Sequence, residues 1–446
     1  MKNFKSYSYI LVLAGLLGFS ACKTNIDTPK PSAGSVNFSR YISVGNSLTA
    51  GYADGGLYRE GQLNSYPSII AAQMAKVGGG TFTQPLFTEA QFNGSGYIKL
   101  TGFDATTGSP ITTPQTTNLA VTGVVAVPGF GNVTTYTKYS GDLNNYGVPG
   151  IKLLHVTLAS YGNLNGYYER LLPNPTPTNT TTYLDFVTAK PFTFFTNWLG
   201  NNDALGYATS GGAGDVLTDK STFAALYQTT ISKLVAGGTG GSGAKGAVAT
   251  IPDVTTIPYF TTVTVPLILG SVQKANPSVQ ALYINALVPG TTSTYAPRVA
   301  TAADLIVLTF PTSKMGVPNG SGIPYGLHPL NPIETQYVLD AAEQGLVKDY
   351  VNSYNTTIKS VASANGLAVF DAFTFLSDLK KNGLVVNGVS LSSNFVSGGV
   401  FSLDGVHLTP RGYAIVANEF IKAINSKYGS SVPQADVSAY NGVKFP

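Results

Sequence analysis

Residues 41–52 read YISVGNSLTAGY. Tyr41, Ile42 and Val44 favour a strand, and Gly45-Asn46 is a turn signal that ends it. Ser47 follows at once, and Thr49-Ala50-Gly51 keeps the chain around it small. A serine at the end of a first strand, in so open a setting, is a candidate nucleophile. Taken alone the stretch could be any strand-ending turn, so the reading depends on what comes after it.

Working outward, Ser65-Tyr66-Pro67 opens a helix with a polar cap and a proline in the first turn. Ile70, Met74 and Val77 fall on one face, and Gly78-Gly79-Gly80 stops it. A strand followed by a helix starts an α/β unit. Residues 81–143 break the rhythm: rich in Thr, Val, Gly and Tyr, they read as hairpins or long loops inserted between core elements, either a surface decoration or a wall of a cleft. After Gly147–Gly150, the apolar residues Ile151, Leu153, Leu154 and Val156 begin a buried helix. Phe192–Leu199 is a strand, Thr222–Val235 a helix and Ala247–Ile251 a strand. Asp304–Phe310 is a further apolar run, and Ile333–Asn365 holds the longest helix, stopped by Gly366 before the strand Leu367–Phe370. Thr409-Pro410 caps a last helix with Tyr413, Val416, Phe420 and Ile424 along its buried stripe. Such alternation argues for a mostly parallel sheet covered on both faces.

Three stretches after Ser47 carry chemistry: Gly147-Val148-Pro149-Gly150, Gly200-Asn201-Asn202-Asp203 and Asp404-Gly405-Val406-His407. Acyl transfer needs a nucleophile, a base, a group that orients the base and donors for the oxyanion. The chain has 3 histidines. His155 follows an apolar run and reads as packed. His328 lies in a Gly-Leu-His-Pro loop with no acid nearby. His407 stands three residues after Asp404, close enough for the carboxylate to hold its Nδ1 proton and leave Nε2 free for a serine.

In that order the four stretches resemble those of the SGNH (GDSL-type) hydrolases. The resemblance spans Ser39 to about Lys427 and implies Ser47 as nucleophile, with Asp404 and His407 completing the triad. It implies an oxyanion hole made by the Ser47 backbone, Gly150 and Asn202. The implied fold is a three-layer α/β/α sandwich with a mostly parallel, five-stranded, flavodoxin-like sheet and β/loop insertions. Asn46 departs from the pattern, standing where these enzymes have aspartate. No G-x-S-x-G elbow is present, which argues against an ordinary α/β-hydrolase. No cluster has metal spacing, so neither metal nor cofactor is expected.

The chain has 446 residues, ample for a buried core, and carries a formal charge of +4. Charged residues make up 11%, so the surface must rest on Thr, Ser, Asn, Gly and Tyr. No basic cluster interleaves with aromatics, and no nucleic-acid partner is expected. Lys2 and Lys5 precede the apolar run Ile10–Phe19, too short for a comfortable span, and Ser20-Ala21 leads into Cys22, the only cysteine. This resembles a bacterial lipoprotein signal, departing from it at Phe19, and implies a lipid on Cys22 and a place in the cell envelope, with the outer membrane the expected destination. The expected layout is a signal peptide at 1–21, a flexible tether at 22–37, the hydrolase domain at 38–430 with an insertion at about 81–143, and a tail at 431–446. The expected function is that of an envelope serine hydrolase acting on lipid or glycan esters. The alternative is a non-catalytic, surface-anchored lipoprotein that binds carbohydrate or a partner on the same scaffold.

Overall fold

A computed structural model describes residues 30–105 and 108–446. Tyr41–Gly45 is a strand (β1), and its five residues are all buried, as a strand covered on both faces requires. It is joined by Asn145–Gly147 (β2), Phe194–Trp198 (β3), Lys245–Ala249 (β4) and Ala368–Phe370 (β5). The order across the sheet is β5-β4-β3-β1-β2, and each neighbouring pair is parallel. That is the doubly wound order of flavodoxin-like sheets.

The helices that frame the sheet and the site are Ser47–Ala50 (α1), Tyr66–Met74 (α2), Asn202–Thr209 (α3), Lys220–Val235 (α4), Val265–Ala275 (α5), Ala341–Ala364 (α6) and Pro410–Tyr428 (α7). Two successive residues of β3 show how the layers divide, since neighbours on a strand point to opposite faces. Trp198 packs against Tyr66 of α2 and Phe420 of α7, at ring-centroid distances of 5.7 and 6.0 Å. Asn197 faces the other way, toward the Tyr227 hydroxyl of α4. Phe223 of α4 in turn stacks on Tyr354 of α6 at 3.9 Å. Helices α2 and α7 therefore cover one face and α4 and α6 the other, giving an α/β/α sandwich.

Several elements differ from the sequence reading. The long helix starts at Ala341, because Asp340 and Glu343 form a capping box there; the residues before it hold the short strand Val338–Leu339. Ile151–Val156 yields a single 3₁₀ turn, Leu153–His155. Of the apolar run at 304–310, the pair Leu305–Ile306 bridges antiparallel to Leu339 and Val338. The insertion at 81–143 contains two antiparallel hairpins, Tyr97–Phe103 with Pro110–Gln115 and Val121–Val127 with Gly131–Tyr136. Residues 32–37, expected in the tether, pack against the body: the Ser35 N–H donates to the Tyr428 carbonyl and Val36 is buried. The stretch at 431–446 lies along the body, with Val432, Ala435 and Val437 buried. The expected signal at 1–21 and Cys22 lie outside the described residues.

Candidate active site

Three of the site stretches lie at the carboxyl ends of the adjacent strands β2, β1 and β3, where the strand order reverses and open α/β sheets bind ligands. At the end of β1, Gly45 allows a close turn: a Cβ there would lie 2.0 Å from the Thr49 hydroxyl. Asn46 then caps α1, its Oδ1 accepting the Leu48 N–H at 3.0 Å. Such a cap satisfies the second helical N–H and leaves the first, that of Ser47, pointing out of the helix start. Asparagine thus serves locally where an aspartate was the expected residue.

The loop Phe401–Leu408 carries the other half of the site. It is closed by a bridge between its two ends and by the Ser402 N–H donating to the His407 carbonyl at 2.8 Å. His407 Nε2 lies 2.8 Å from Ser47 Oγ, and His407 Nδ1 lies 2.8 Å from Asp404 Oδ2. Both side chains of the Asp-His pair are about 15% exposed. Asp404 Oδ1 accepts from the backbone of Val406 and His407 and from the Ser402 hydroxyl, and Oδ2 also accepts from the Gly55 N–H. Burial would push this carboxyl up. The charge of His407 and these donors together outweigh it and hold the group well below the usual carboxylate range.

Gly150 adopts φ +82°, a conformation that favours glycine. Asn202 opens α3 with its side chain half-buried, and its Nδ2 donates to the Ile151 carbonyl at 2.9 Å, beside Gly150. Asp203, fully buried, reaches the same loop: its Oδ2 accepts the Leu153 N–H at 2.7 Å and its Oδ1 the Thr218 hydroxyl at 2.6 Å. Burial raises its pKa to about 6 despite these donors. The two residues fasten the Gly150 loop to the start of α3. Ser47, Gly150, Asn202 and His407 line one cavity of about 470 Å³, and Asn132, Thr134 and Tyr136 of the inserted hairpin form part of its wall.

The other histidines do different work. His155 stacks on Tyr161 at 4.5 Å, and its Nδ1 accepts the Lys152 N–H at 3.2 Å. Burial depresses its pKa to about 4. His328 Nδ1 accepts the Leu330 N–H at 3.1 Å in its loop.

Sequence reasoning missed Asp54 and Tyr52. Asp54 sits at φ +53° and grips the Asp404 loop: its Oδ1 accepts the Leu403 N–H at 2.9 Å and its own N–H donates to the Ser402 hydroxyl at 3.0 Å. Tyr58 donates to Oδ2 at 2.7 Å. Burial, aided by the nearby Asp404 charge and opposed by those donors, raises the Asp54 pKa to about 6. Tyr52 packs its ring 4.6 Å from that of His407. The one available signal was an Asp-Gly pair shortly after the nucleophile turn, which reads as a plain turn.

No family model and no curated protein matches the chain. Among solved structures, the chain is similar to the lipase/acylhydrolase from Enterococcus faecalis, with 11% identity and a TM-score of 0.32 over 89% of this chain and 100% of that one.

Proposed function

We propose that this chain is a serine hydrolase of the SGNH type that cleaves carboxylic esters. The observation that carries the reading is the unbroken relay from Ser47 Oγ through the His407 ring to Asp404, with a 2.8 Å contact on each side of the imidazole. In the proposed reaction Nε2 takes the Ser47 proton as Oγ attacks the ester carbonyl carbon. The developing oxyanion is met by the Ser47 and Gly150 N–H groups and by the Asn202 amide. His407 returns the proton to the departing alcohol oxygen, leaving an acyl-serine. Water, deprotonated by the same nitrogen, then releases the acid and restores Ser47. Asp404 remains ionised throughout and fixes the tautomer that leaves Nε2 free. The resemblance of the four sequence stretches to SGNH hydrolases points the same way. A lipid on Cys22 and an envelope location belong to the same proposal and rest on the sequence of the first 22 residues.

A fluorophosphonate probe followed by peptide mapping tests the chemistry. Covalent label on Ser47 is expected, and His407→Ala should abolish it. A folded protein without label on Ser47 would overturn the hydrolase reading and favour a binding protein.

A further inference from the structure

A second and larger cavity, about 950 Å³, opens beside the imidazole. Tyr52, Leu205 and His407 line both it and the cavity that holds Ser47, so the two meet at the reacting groups. Much of its wall comes from outside the doubly wound frame. Helix α5 and the segment before it contribute Val263, Leu267 and Val272, the segment after the strand Leu305–Ile306 contributes Leu308 and Phe310, and the loop before His407 contributes Leu403. Helix α5 begins VPLIL, and Leu267 stands 60% exposed at the cavity. Among the described residues the carboxylate and imidazole side chains in the lining are Asp404 and His407 themselves. Among the described residues of the lining the remaining side-chain hydrogen-bonding groups are Thr, Ser and Tyr hydroxyls, with no amide, lysine or arginine to bind sugars or phosphates. The Ser47 cavity differs in carrying side-chain amides, those of Asn132, Asn165 and Asn202, in its wall.

We propose that the larger cavity is a subsite for an aliphatic chain attached to the scissile ester, either the fatty acyl or the alkyl side; this rests on the hydrolase reading above. A chain threaded past His407 removes methylenes from water one after another, each worth about fourfold in binding when fully buried. An isolated exposed leucine needs no explanation, but a contiguous apolar wall beside a reactive serine marks a site.

Two ester series decide it: p-nitrophenyl acetate through laurate on the acyl side, and ethyl through dodecyl acetate on the alcohol side. In one series kcat/KM should rise at least about tenfold from the shortest member to the eight-carbon one, and the series that rises identifies the side that occupies the cavity. Val272→Trp, which fills the cavity, and Leu267→Asp, on an exposed position, should each reduce that long-to-short ratio by about tenfold. A flat response in both series with Ser47 still labelled by fluorophosphonate would overturn the subsite and leave the hydrolase standing. So would a rise that survives both substitutions. Absence of label on Ser47 would remove both readings.

Discussion

At the scale of single residues the relay makes sharp demands. Asp404 is held below the ordinary carboxylate range, so it stays ionised through that range and an acid-side fall of kcat/KM would have to come from another group. Asp404→Asn should keep the fold yet favour the wrong tautomer, with a loss in kcat that reaches about ten-thousandfold in comparable triads. Asn202→Ala should lower kcat about a hundredfold or more, measured by steady-state kinetics with circular dichroism as the folding control. Asp54 is a positioning residue, and its test is thermodynamic. Its folded pKa of about 6 lies above the ordinary value, so its stabilising contribution is complete at low pH and is lost as pH rises through about 6. Melting curves of the wild type relative to Asp54→Asn should show that decline, and parallel curves would contradict it. The relay was legible in sequence because the chain has 3 histidines and one of them has an acid three residues before it. The grip of Asp54 on Leu403 was not, because the partners are 349 residues apart and nothing local marks the pair.

Elements were legible where their periodicity was strong and their ends were marked. The last helix was, since Thr409 accepts the Gly412 N–H as its cap and Gly429 ends it at φ +63°. The strand Asn145–Gly147 was not, because three residues cannot show a period. The start of α6 within Ile333–Asn365 was left open because the residues before Asp340 are apolar enough to look helical, while the cap that fixes it is tertiary as well as local. Asp340 is 1% exposed; it accepts from Ala342 and Glu343 in the helix and from the Leu287 N–H at 2.6 Å outside it. Asp340→Ala should therefore cost about 2–5 kcal/mol, the sum of a lost cap and a buried N–H left without an acceptor. Urea unfolding would measure it, and a loss under 1 kcal/mol would mean that the N–H finds water.

For the whole molecule the sequence conveyed the layering, because alternating strands and helices admit few packings. For the insertion at 81–143 it left open a surface decoration or a cleft wall, and the second cavity, whose partners are set by tertiary contact, was not legible in it. The proposed lipid on Cys22 predicts that the wild type partitions with membranes and that Cys22→Ser releases it or leaves its signal uncleaved; a cleaved, freely soluble wild type would contradict it. Ser35 meets Tyr428 at the carboxyl end of α7, while His407 lies just before that helix begins. Its 19 residues separate the two points by about 28 Å. Ser35 and the Ser47–His407 pair thus stand at opposite ends of one helix, and the reach of the serine toward any surface would be set by the residues between Cys22 and Ser35 as much as by the helix.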